Sequence, residues 1–330
     1  MTRTYLTYSR DKGDFKIDLI ELSKSGLFGL RLINKGKSIE EFVDRIKEIL
    51  AYSLTNKLSL DIIIDLPGEK PLIGNVANGL QIEKDSVYIL SDKKQFRIKN
   101  EIPTLNLFAR IDRTKIFVGD LISIADGEVE MEIVELSDCS ITCVAQNSFF
   151  LTSNRSFNIK GNKLPVHPIS NHDQLLLDTI KLIDISNRTK ILVSFVTKAS
   201  QVKYVKDISE NFYVISKIEN ILNEQDLEEI INTSDAIMLG RGDLISTSKM
   251  SEVFVFQKSI IDKCKSLNKE LIVATGLFGN LKNSNKPSIS DIMDFGFLRN
   301  LKVDAFLIAG SNAIHHPFET LNLINNYEEM

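Results

Sequence analysis

The chain has 330 residues, 43% of them hydrophobic and 25% charged, which is typical of a globular protein with one large domain or two smaller ones. Its formal net charge of −4 means that no overall basic field favours nucleic acid, and no apolar run approaches the ~18 residues that span a bilayer. The N-terminal residues contain no apolar stretch typical of a signal peptide. We therefore expect a cytoplasmic protein with neither nucleic acid nor membrane as a partner.

The first third of the chain alternates apolar strands with amphipathic helices. Strands are predicted over residues 4–8, 28–33 and 60–65, and helices over residues 14–26 and 38–54. Gly26 is expected to end the first helix as a C-terminal cap, and Ser38 with Glu41 forms a capping box for the second. Continuous apolar strands separated by helices are typical of a parallel sheet that is covered on both faces.

Between residues 72 and 165 the helical periodicity nearly vanishes, and short strands joined by Asp, Gly and Asn turns replace it. The strand–helix alternation returns from about residue 171 and brings the count to eight units. That count predicts an α/β fold, a (β/α)8 TIM barrel, rather than an open doubly wound sheet. The expected division is a barrel (1–71), a small all-β lid domain inserted after the third strand (72–165) and the rest of the barrel (166–330).

Polar residues follow the predicted strands, at the end where a barrel of this class carries its reactive groups. They are Arg31, Asp65, Ser194, Lys198, Lys217, Glu219, Asp243 and Thr275. Lys217 and Glu219 lie two residues apart, hence on the same face of an extended segment, and Asp243 follows the next strand. One Glu and one Asp from successive strands suit Mg²⁺, which takes its other ligands from water and substrate. The alternative is a surface Lys–Glu pair beside a solvated turn.

Five segments of the sequence resemble, in the same order, the motifs of one enzyme family. Residues 216–244, SKIENILNEQDLEEIINTSDAIMLGRGDL, are similar to the pattern KIEN…DGIMVARGDL of the pyruvate kinases. Residues 192–202, LVSFVTKASQV, resemble that family's FASFIRKASDV, and residues 270–276, ELIVATG, resemble its PVICATQ. Residues 26–42 and 61–75 are similar to its GMNVARLNFSHG and ALDTKGPEIRTG segments. Because the order holds along nearly the whole chain, the protein is identified as a divergent member of this family.

The resemblance implies roles for the residues at the strand ends. Lys217 would neutralise the phosphoryl group in transit, and Glu219 and Asp243 would hold Mg²⁺, with Mn²⁺ as a substitute. Gly242 and Thr275 would bind the substrate carboxylate, and Thr275 would also take part in proton delivery to the enolate.

Further roles follow from the same resemblance. Arg31 would contact both the phosphoryl group and the nucleotide, with Asp65 beside it. Ser194 would line the floor of the same site. Arg155, in the predicted lid, stands where the family has a Lys that faces the nucleotide.

The sequence also departs from the family pattern. Leu72 replaces an Arg that contacts the phosphoryl group, Gly276 replaces a Gln, and Ser311 replaces a Glu. Leu66 and Lys70 match the pair of residues found in relatives that work without K⁺, and the Lys70 ammonium would replace that ion. The sequence stops before the C-terminal domain that carries the family's effector sites and one subunit interface, so a monomer or homodimer is expected.

The resemblance implies a pyruvate kinase-like phosphotransferase that moves a phosphoryl group between phosphoenolpyruvate and ADP through a Mg²⁺-bound enolpyruvate. Pyruvate and ATP would be the products, and K⁺ would not be required. One alternative is a Mg²⁺-dependent lyase or decarboxylase that acts on oxaloacetate or another 2-oxo acid. The other is a catalytically inactive relative that only binds ligands.

Overall fold

The structure is a computed structural model. It describes residues 2–8, 15–34, 38–69, 71–91, 102–108, 111–125, 127–161, 169–182, 188–209, 212–284 and 286–326. Its strands, in chain order, are β1 (Arg3–Thr7), β2 (Gly29–Ile33), β3 (Asp61–Leu66), β4 (Leu72–Ile73), β5 (Leu80–Ile82), β6 (Val87–Ser91), β7 (Thr104–Phe108), β8 (Leu121–Ile124), β9 (Val129–Leu136), β10 (Ile141–Ala145), β11 (Phe149–Leu151), β12 (Phe157–Ile159), β13 (Thr189–Val193), β14 (Tyr213–Ile218), β15 (Ala236–Gly240), β16 (Glu270–Ala274) and β17 (Ala305–Ile308).

The helices alternate with the barrel strands along the chain. They are α1 (Phe15–Lys24), α2 (Ile39–Thr55), α3 (Asn171–Lys181), α4 (Ala199–Ser209), α5 (Glu224–Thr233), α6 (Arg241–Thr247), α7 (Met250–Ser266), α8 (Ile289–Asn300), α9 (Ser311–His315) and α10 (Pro317–Asn326). A 3-10 turn covers Gly279–Lys282. No helix in the described segments is both long enough and apolar enough to cross a membrane.

Eight parallel strands close into a barrel in the order β1-β17-β16-β15-β14-β13-β3-β2. The predicted (β/α)8 fold is therefore confirmed. The same alternation of side chains that defines a strand separates the interior of the barrel from its outer layer. On β3, Ile63 packs in the barrel interior, whereas Ile62 and Ile64 pack in the layer between the strands and the surrounding helices. Asp61 and Asp65 share the inward face with Ile63, one at each end of the strand.

The strands β4 to β12, residues 72–159, follow β3 and precede β13 in the chain, and we call them the β insertion. Seven of them form one sheet in the order β12-β8-β9-β10-β6-β7-β4, and β11 pairs with β5. The β insertion has an apolar cluster of its own. Asn158 donates from Nδ2 to Ser246 Oγ at 3.2 Å, and the Gly161 amide donates to the Thr247 carbonyl at 2.9 Å, so its last strand lies against α6.

Local signals in the sequence account for several helix ends. Ser38 and Glu41 form the predicted capping box at the start of α2. Gly26 has φ +85° after α1, as its predicted role as a cap requires. A second capping box, formed by Ser170 and Asp173, begins α3. The helix α6 was not predicted at all, since two glycines at 240 and 242 oppose a helix.

Candidate active site

Lys217 and Glu219 lie at the C-terminal end of β14 and point to the same side of it. They share the inward face with Ile215, which packs in the barrel interior. Lys217 is 9% exposed and Glu219 is 1% exposed. The Lys217 ammonium lies 2.5 Å from Glu219 Oε1. The alternative interpretation of a surface Lys–Glu pair is therefore wrong.

The Glu219 carboxylate is fixed from a second side by the neighbouring strand. Its Oε2 atom accepts a hydrogen bond of 3.0 Å from the amide of Phe195, which follows β13. Phe195 has φ +57°, an uncommon backbone conformation for a bulky residue. A Cβ atom on Gly240 would lie 2.6 Å from Glu219 Cγ and 3.0 Å from Lys217 Cε. The pair therefore needs a glycine at the end of β15.

Asp243 lies in the first turn of α6, directly after β15. The Thr247 hydroxyl lies 3.0 Å from the Glu219 carbonyl oxygen and 3.0 Å from the Asp243 carbonyl oxygen. This one hydroxyl holds the two carboxylate-bearing residues next to each other. The sequence-predicted pair of acidic residues thus comes from adjacent strand ends.

Thr275 follows β16 and has φ +71°. A Cβ atom on Gly242 would lie 3.1 Å from Thr275 Cγ2, so the two residues are in close contact. Gly242 and Thr275, predicted together as carboxylate-binding residues, are therefore neighbours.

Arg31, Asp65 and Ser194 form a second group on the strands β2, β3 and β13. Arg31 Nε donates to Asp65 Oδ2 at 2.9 Å, and Arg31 Nη2 forms an ion pair with the same oxygen. Ser194 Oγ donates to Asp65 Oδ1 at 3.0 Å. Arg31 Nη1 also donates to Thr7 Oγ1 at 3.1 Å. Asp65 is buried and both of its oxygens have donors, so it holds Arg31 in place.

Two predicted residues, Lys198 and Arg155, are not brought to these groups. Lys198 is largely exposed and pairs with Asp226, on α5, at 2.7 Å. Arg155 lies in the β insertion, where its Nε donates to Thr152 Oγ1 at 3.1 Å. Among the described residues its side chain forms no hydrogen bond or ion pair with the barrel. Lys70 lies outside the described residues, so its proposed replacement of K⁺ stays a prediction.

The sequence analysis missed several residues that contact the site, including Thr7, Phe195 and Thr247. Thr7 contacts Arg31, the Phe195 amide contacts Glu219, and Thr247 joins Glu219 to Asp243. Thr7 and Phe195 could have been suspected, since each stands at the C-terminal end of a predicted barrel strand. Thr247 gave no such signal, because its position depends on the unpredicted α6.

The residues present fit a Mg²⁺ site. Glu219 and Asp243 offer carboxylate oxygens at adjacent strand ends, and Thr247 holds their backbones together. Among the described residues no group of three or more His, Cys, Asp and Glu is placed so that it could hold a metal ion. Mg²⁺ suits such a sparse set, because it is usually bound by one or two carboxylates and completes its shell with water and substrate oxygens.

A closed parallel barrel with a buried Lys–Glu pair at the C-terminal ends of its strands defines a (β/α)8 protein with a charged candidate site. The family described as pyruvate kinase, barrel domain, matches residues 11–320. The chain belongs to the pyruvate kinase family.

Several curated pyruvate kinases are similar to this chain. That of Thermotoga maritima is 30% identical over 276 residues, which cover 82% of this chain and 58% of the relative. That of Trypanoplasma borreli is 26% identical over 92% of this chain and 61% of its own length. That of Thermococcus litoralis is 24% identical over 92% of this chain and 64% of its own length. The matched part of this chain thus spans less than two thirds of each of these relatives.

Proposed function

We propose that the chain transfers a phosphoryl group between phosphoenolpyruvate and ADP, with pyruvate and ATP as the products. The observation that carries this proposal is the buried Lys217–Glu219 pair at the end of β14, with Asp243 in the first turn of α6 at the adjacent strand end. A buried ammonium paired with a carboxylate suits a reaction in which negative charge moves between oxygens and little covalent help is needed.

Lys217 is proposed to act on the phosphoryl group by its charge. Positioned charge is usually the largest single contribution to catalysis of this type, because it needs no reorganisation during the reaction. Glu219 and Asp243 are proposed to hold Mg²⁺ or Mn²⁺, which supplies positive charge to substrate oxygens when it is bound. Gly242 and Thr275 are proposed to bind the carboxylate, with Thr275 also delivering the proton.

The other group at the barrel end is proposed to bind phosphate. Arg31 has donors in a planar fork that suits phosphate oxygens, and Asp65 keeps that fork in one orientation. Ser194 supports Asp65. The β insertion is proposed to act as a lid, with Arg155 on the nucleotide.

We further propose that the activity does not require K⁺. Leu66, buried in β3, offers no side-chain oxygen to a cation, and Lys70 would supply a tethered positive charge instead. The expected result is full activity in a buffer whose ionic strength is held by a bulky organic cation. Strong activation by added K⁺, but not by the same concentration of the organic cation, would contradict this.

A second candidate is a Mg²⁺-dependent lyase or decarboxylase that acts on oxaloacetate or another 2-oxo acid. Two observations favour it. Leu72 lies in β4 where a phosphate-binding Arg is expected, and Arg155 makes its hydrogen bond within the β insertion. Both concern the nucleotide and phosphoryl side of the site, whereas a lyase needs only the carboxylates and the carboxylate-binding residues.

One set of assays separates these candidates. Pyruvate formation is measured with phosphoenolpyruvate, ADP and Mg²⁺, then with oxaloacetate and Mg²⁺ alone. We expect ATP and pyruvate in equal amounts in the first assay. Pyruvate from oxaloacetate without turnover of phosphoenolpyruvate would favour the lyase. Inactivity in both, with Mg²⁺-dependent binding of oxalate retained, would indicate a non-catalytic relative.

A further inference from the structure

We infer that Arg241 is a positioning residue that ties the backbone of Thr275 to Asp294 and so keeps Thr275 in its place beside Gly242. Arg241 is the first residue of α6, and it precedes the two residues to which a role in the site is already proposed. The inference rests on the proposed function of this site, because it assigns to Arg241 an effect on catalysis through Thr275.

The Arg241 side chain joins three elements of the barrel. Its Nε atom donates to the Thr275 carbonyl oxygen, after β16, at 2.9 Å. Its Nη1 atom lies 2.8 Å from each carboxylate oxygen of Asp294, on α8. Arg241 is 8% exposed, so these contacts are formed largely out of water. The guanidinium thereby links the end of β15 to the end of β16 and to α8.

Thr275 needs such support because of its backbone conformation. Its φ of +71° is a genuine outlier for a β-branched residue. Gly276, which follows it, has φ +76°. A strained conformation of this kind persists only where the surroundings hold it. The hydrogen bond from Arg241 to the Thr275 carbonyl oxygen is one such restraint, and the contact of the Thr275 methyl group with Gly242 is another.

One detail argues against a role in stability alone. Arg241 Nη2 is buried and has no hydrogen-bond partner among the described residues. A buried donor without a partner lowers the stability of the folded protein. The position of the guanidinium is therefore not the one that would satisfy all of its donors. It is placed where it reaches both the Thr275 carbonyl oxygen and Asp294.

The consecutive residues 241–243 then act on three parts of the site. Arg241 fixes the Thr275 backbone, Gly242 contacts the Thr275 side chain, and Asp243 carries the second carboxylate. A change at Arg241 is therefore expected to displace Thr275 while Lys217 and its partner carboxylate stay in place. Small displacements of a group that acts on the substrate are costly to the rate, on the order of 10²-fold for 1 Å.

The test uses Arg241→Lys, which keeps the charge but cannot donate to both partners as the guanidinium does. Lys206→Met is the matched control, because it removes an ion pair of 2.7 Å, to Asp235, that lies away from the site. We expect Arg241→Lys to lower kcat by about 10–10²-fold with a smaller change in KM. The midpoint of thermal unfolding should fall no further than in Lys206→Met. A lower midpoint with unchanged kcat would overturn the inference in favour of a structural ion pair.

A double-mutant cycle tests whether Arg241 acts through Thr275. In a Thr275→Ala background, Arg241→Lys should cause no further loss of kcat, because the threonine side chain whose position depends on Arg241 has been removed. Full and independent losses from the two changes would overturn the inference.

Hydrogen exchange tests the role of Arg241 without requiring that the protein catalyse the proposed reaction. If the wild-type protein lacks phosphoryl-transfer activity, the amides of residues 275–278 are compared in Arg241→Lys and Lys206→Met. Faster exchange of those amides only in Arg241→Lys supports the positioning role even though the proposed function has failed. Equal exchange in the two variants overturns it.

Discussion

The barrel carries a buried cluster of charged residues at each end, and the same strands build both. On β3, Asp65 lies at the C-terminal end and pairs with Arg31. Asp61 lies at the N-terminal end, where Lys190 Nζ is 2.9 Å from its Oδ2 atom. Both carboxylates are buried and both have a cation beside them. Buried charge by itself therefore does not distinguish the candidate site from the framework.

The N-terminal cluster contains two tyrosines whose pKa values are raised. Burial, with Asp61 and Glu270 nearby, raises the pKa of Tyr5 well above its usual range. The pKa of Tyr213 is raised as well, by burial and by its hydrogen bond of 2.8 Å to Glu270. The Lys190 ammonium lies 4.8 Å from the centre of the Tyr213 ring. These contacts lie at the N-terminal end of the barrel, opposite the candidate site.

The two ends differ in their backbone conformation. At the C-terminal end, Phe195 and Thr275 have positive φ directly after barrel strands. At the N-terminal end, Asn268 and Lys302 have positive φ directly after helices, where such a residue is a common way to end a helix. Positive φ in a bulky and in a β-branched residue therefore marks the C-terminal end, where the candidate site lies.

The largest expected effect on kcat comes from replacing Lys217, and the matched comparison is the replacement of Lys190 at the other end of the barrel. Lys217 and Lys190 are matched, since their side chains are 11% and 12% exposed and each is paired with a carboxylate. Lys217→Met should lower kcat by about 10²–10³-fold, because it removes a charge proposed to act on the phosphoryl group. Lys190→Met should leave the kcat of the folded protein unchanged. Steady-state kinetics on the folded fraction of each variant checks this.

Lys217→Met removes the ammonium from the buried Glu219 carboxylate, and breaking a buried ion pair in this way typically costs about 3–5 kcal/mol of stability. A smaller loss is expected for Lys190→Met, because Asp61 keeps Arg188 at 3.7 Å. The control for Lys217→Met is therefore the double variant Lys217→Met with Glu219→Gln, which removes the uncompensated charge. Urea unfolding should show partial recovery of stability in the double variant while activity stays lost. Activity near the wild-type level in Lys217→Met would show that Lys217 does not act on the phosphoryl group, or that the active site does not lie at this end of the barrel.

A smaller effect is expected from the carboxylates. Glu219→Gln and Asp243→Asn should each weaken the binding of Mg²⁺ together with oxalate, by roughly 10–100-fold, because both act on one ion. Glu270→Gln, at the N-terminal end, removes a partly buried carboxylate that pairs with Arg3 at 3.2 Å and should leave this binding unchanged. Calorimetric titration measures all three. Unchanged affinity in Glu219→Gln and Asp243→Asn would place the metal elsewhere.

The sequence predicts the barrel well because its signals are local and repeated. Each strand is a continuous apolar run, each helix is amphipathic, and eight such units have few alternatives to closure. The helix α6 could not be predicted in this way. Its glycines disfavour a helix, and contacts with residues distant in the chain hold it in place. One of them is the hydrogen bond that the Thr247 carbonyl oxygen accepts from the amide of Gly161, which follows the β insertion.

For the site, the sequence predicts which residues lie at strand ends but not how they are held. Lys217 and Glu219 share a face because strand periodicity is two, which the sequence alone establishes. The supporting contacts of Thr7 and Arg241 depend on distances between elements far apart in the chain. The left-handed backbone of Thr275 is imposed by its surroundings, so no property of a threonine predicts it.

The smallest expected effect concerns the N-terminal end and its pH dependence. Tyr5 is fully buried, and its pKa in the folded protein lies above the ordinary value of about 10. A group of this kind contributes stability that is fully present below pH 10, and this stability is lost as the pH rises, because the unfolded chain releases the phenol proton first. For one tyrosine the slope is at most about 1.4 kcal/mol per pH unit.

Tyr5→Phe should therefore flatten the fall in unfolding free energy between pH 10 and pH 11 by up to about 1.4 kcal/mol. At pH 7 the variant should lose only about 0.5–1.5 kcal/mol, because its hydroxyl contacts Lys190 at 3.1 Å and Asp61 at 3.4 Å. Urea unfolding at pH 7, 10 and 11 measures both quantities, with kcat at pH 7 expected to stay at the wild-type level. Parallel pH profiles in the variant and the wild type would mean that the Tyr5 phenol titrates normally. A loss of kcat at pH 7 in the folded variant would instead show that the two ends of the barrel are coupled through β1.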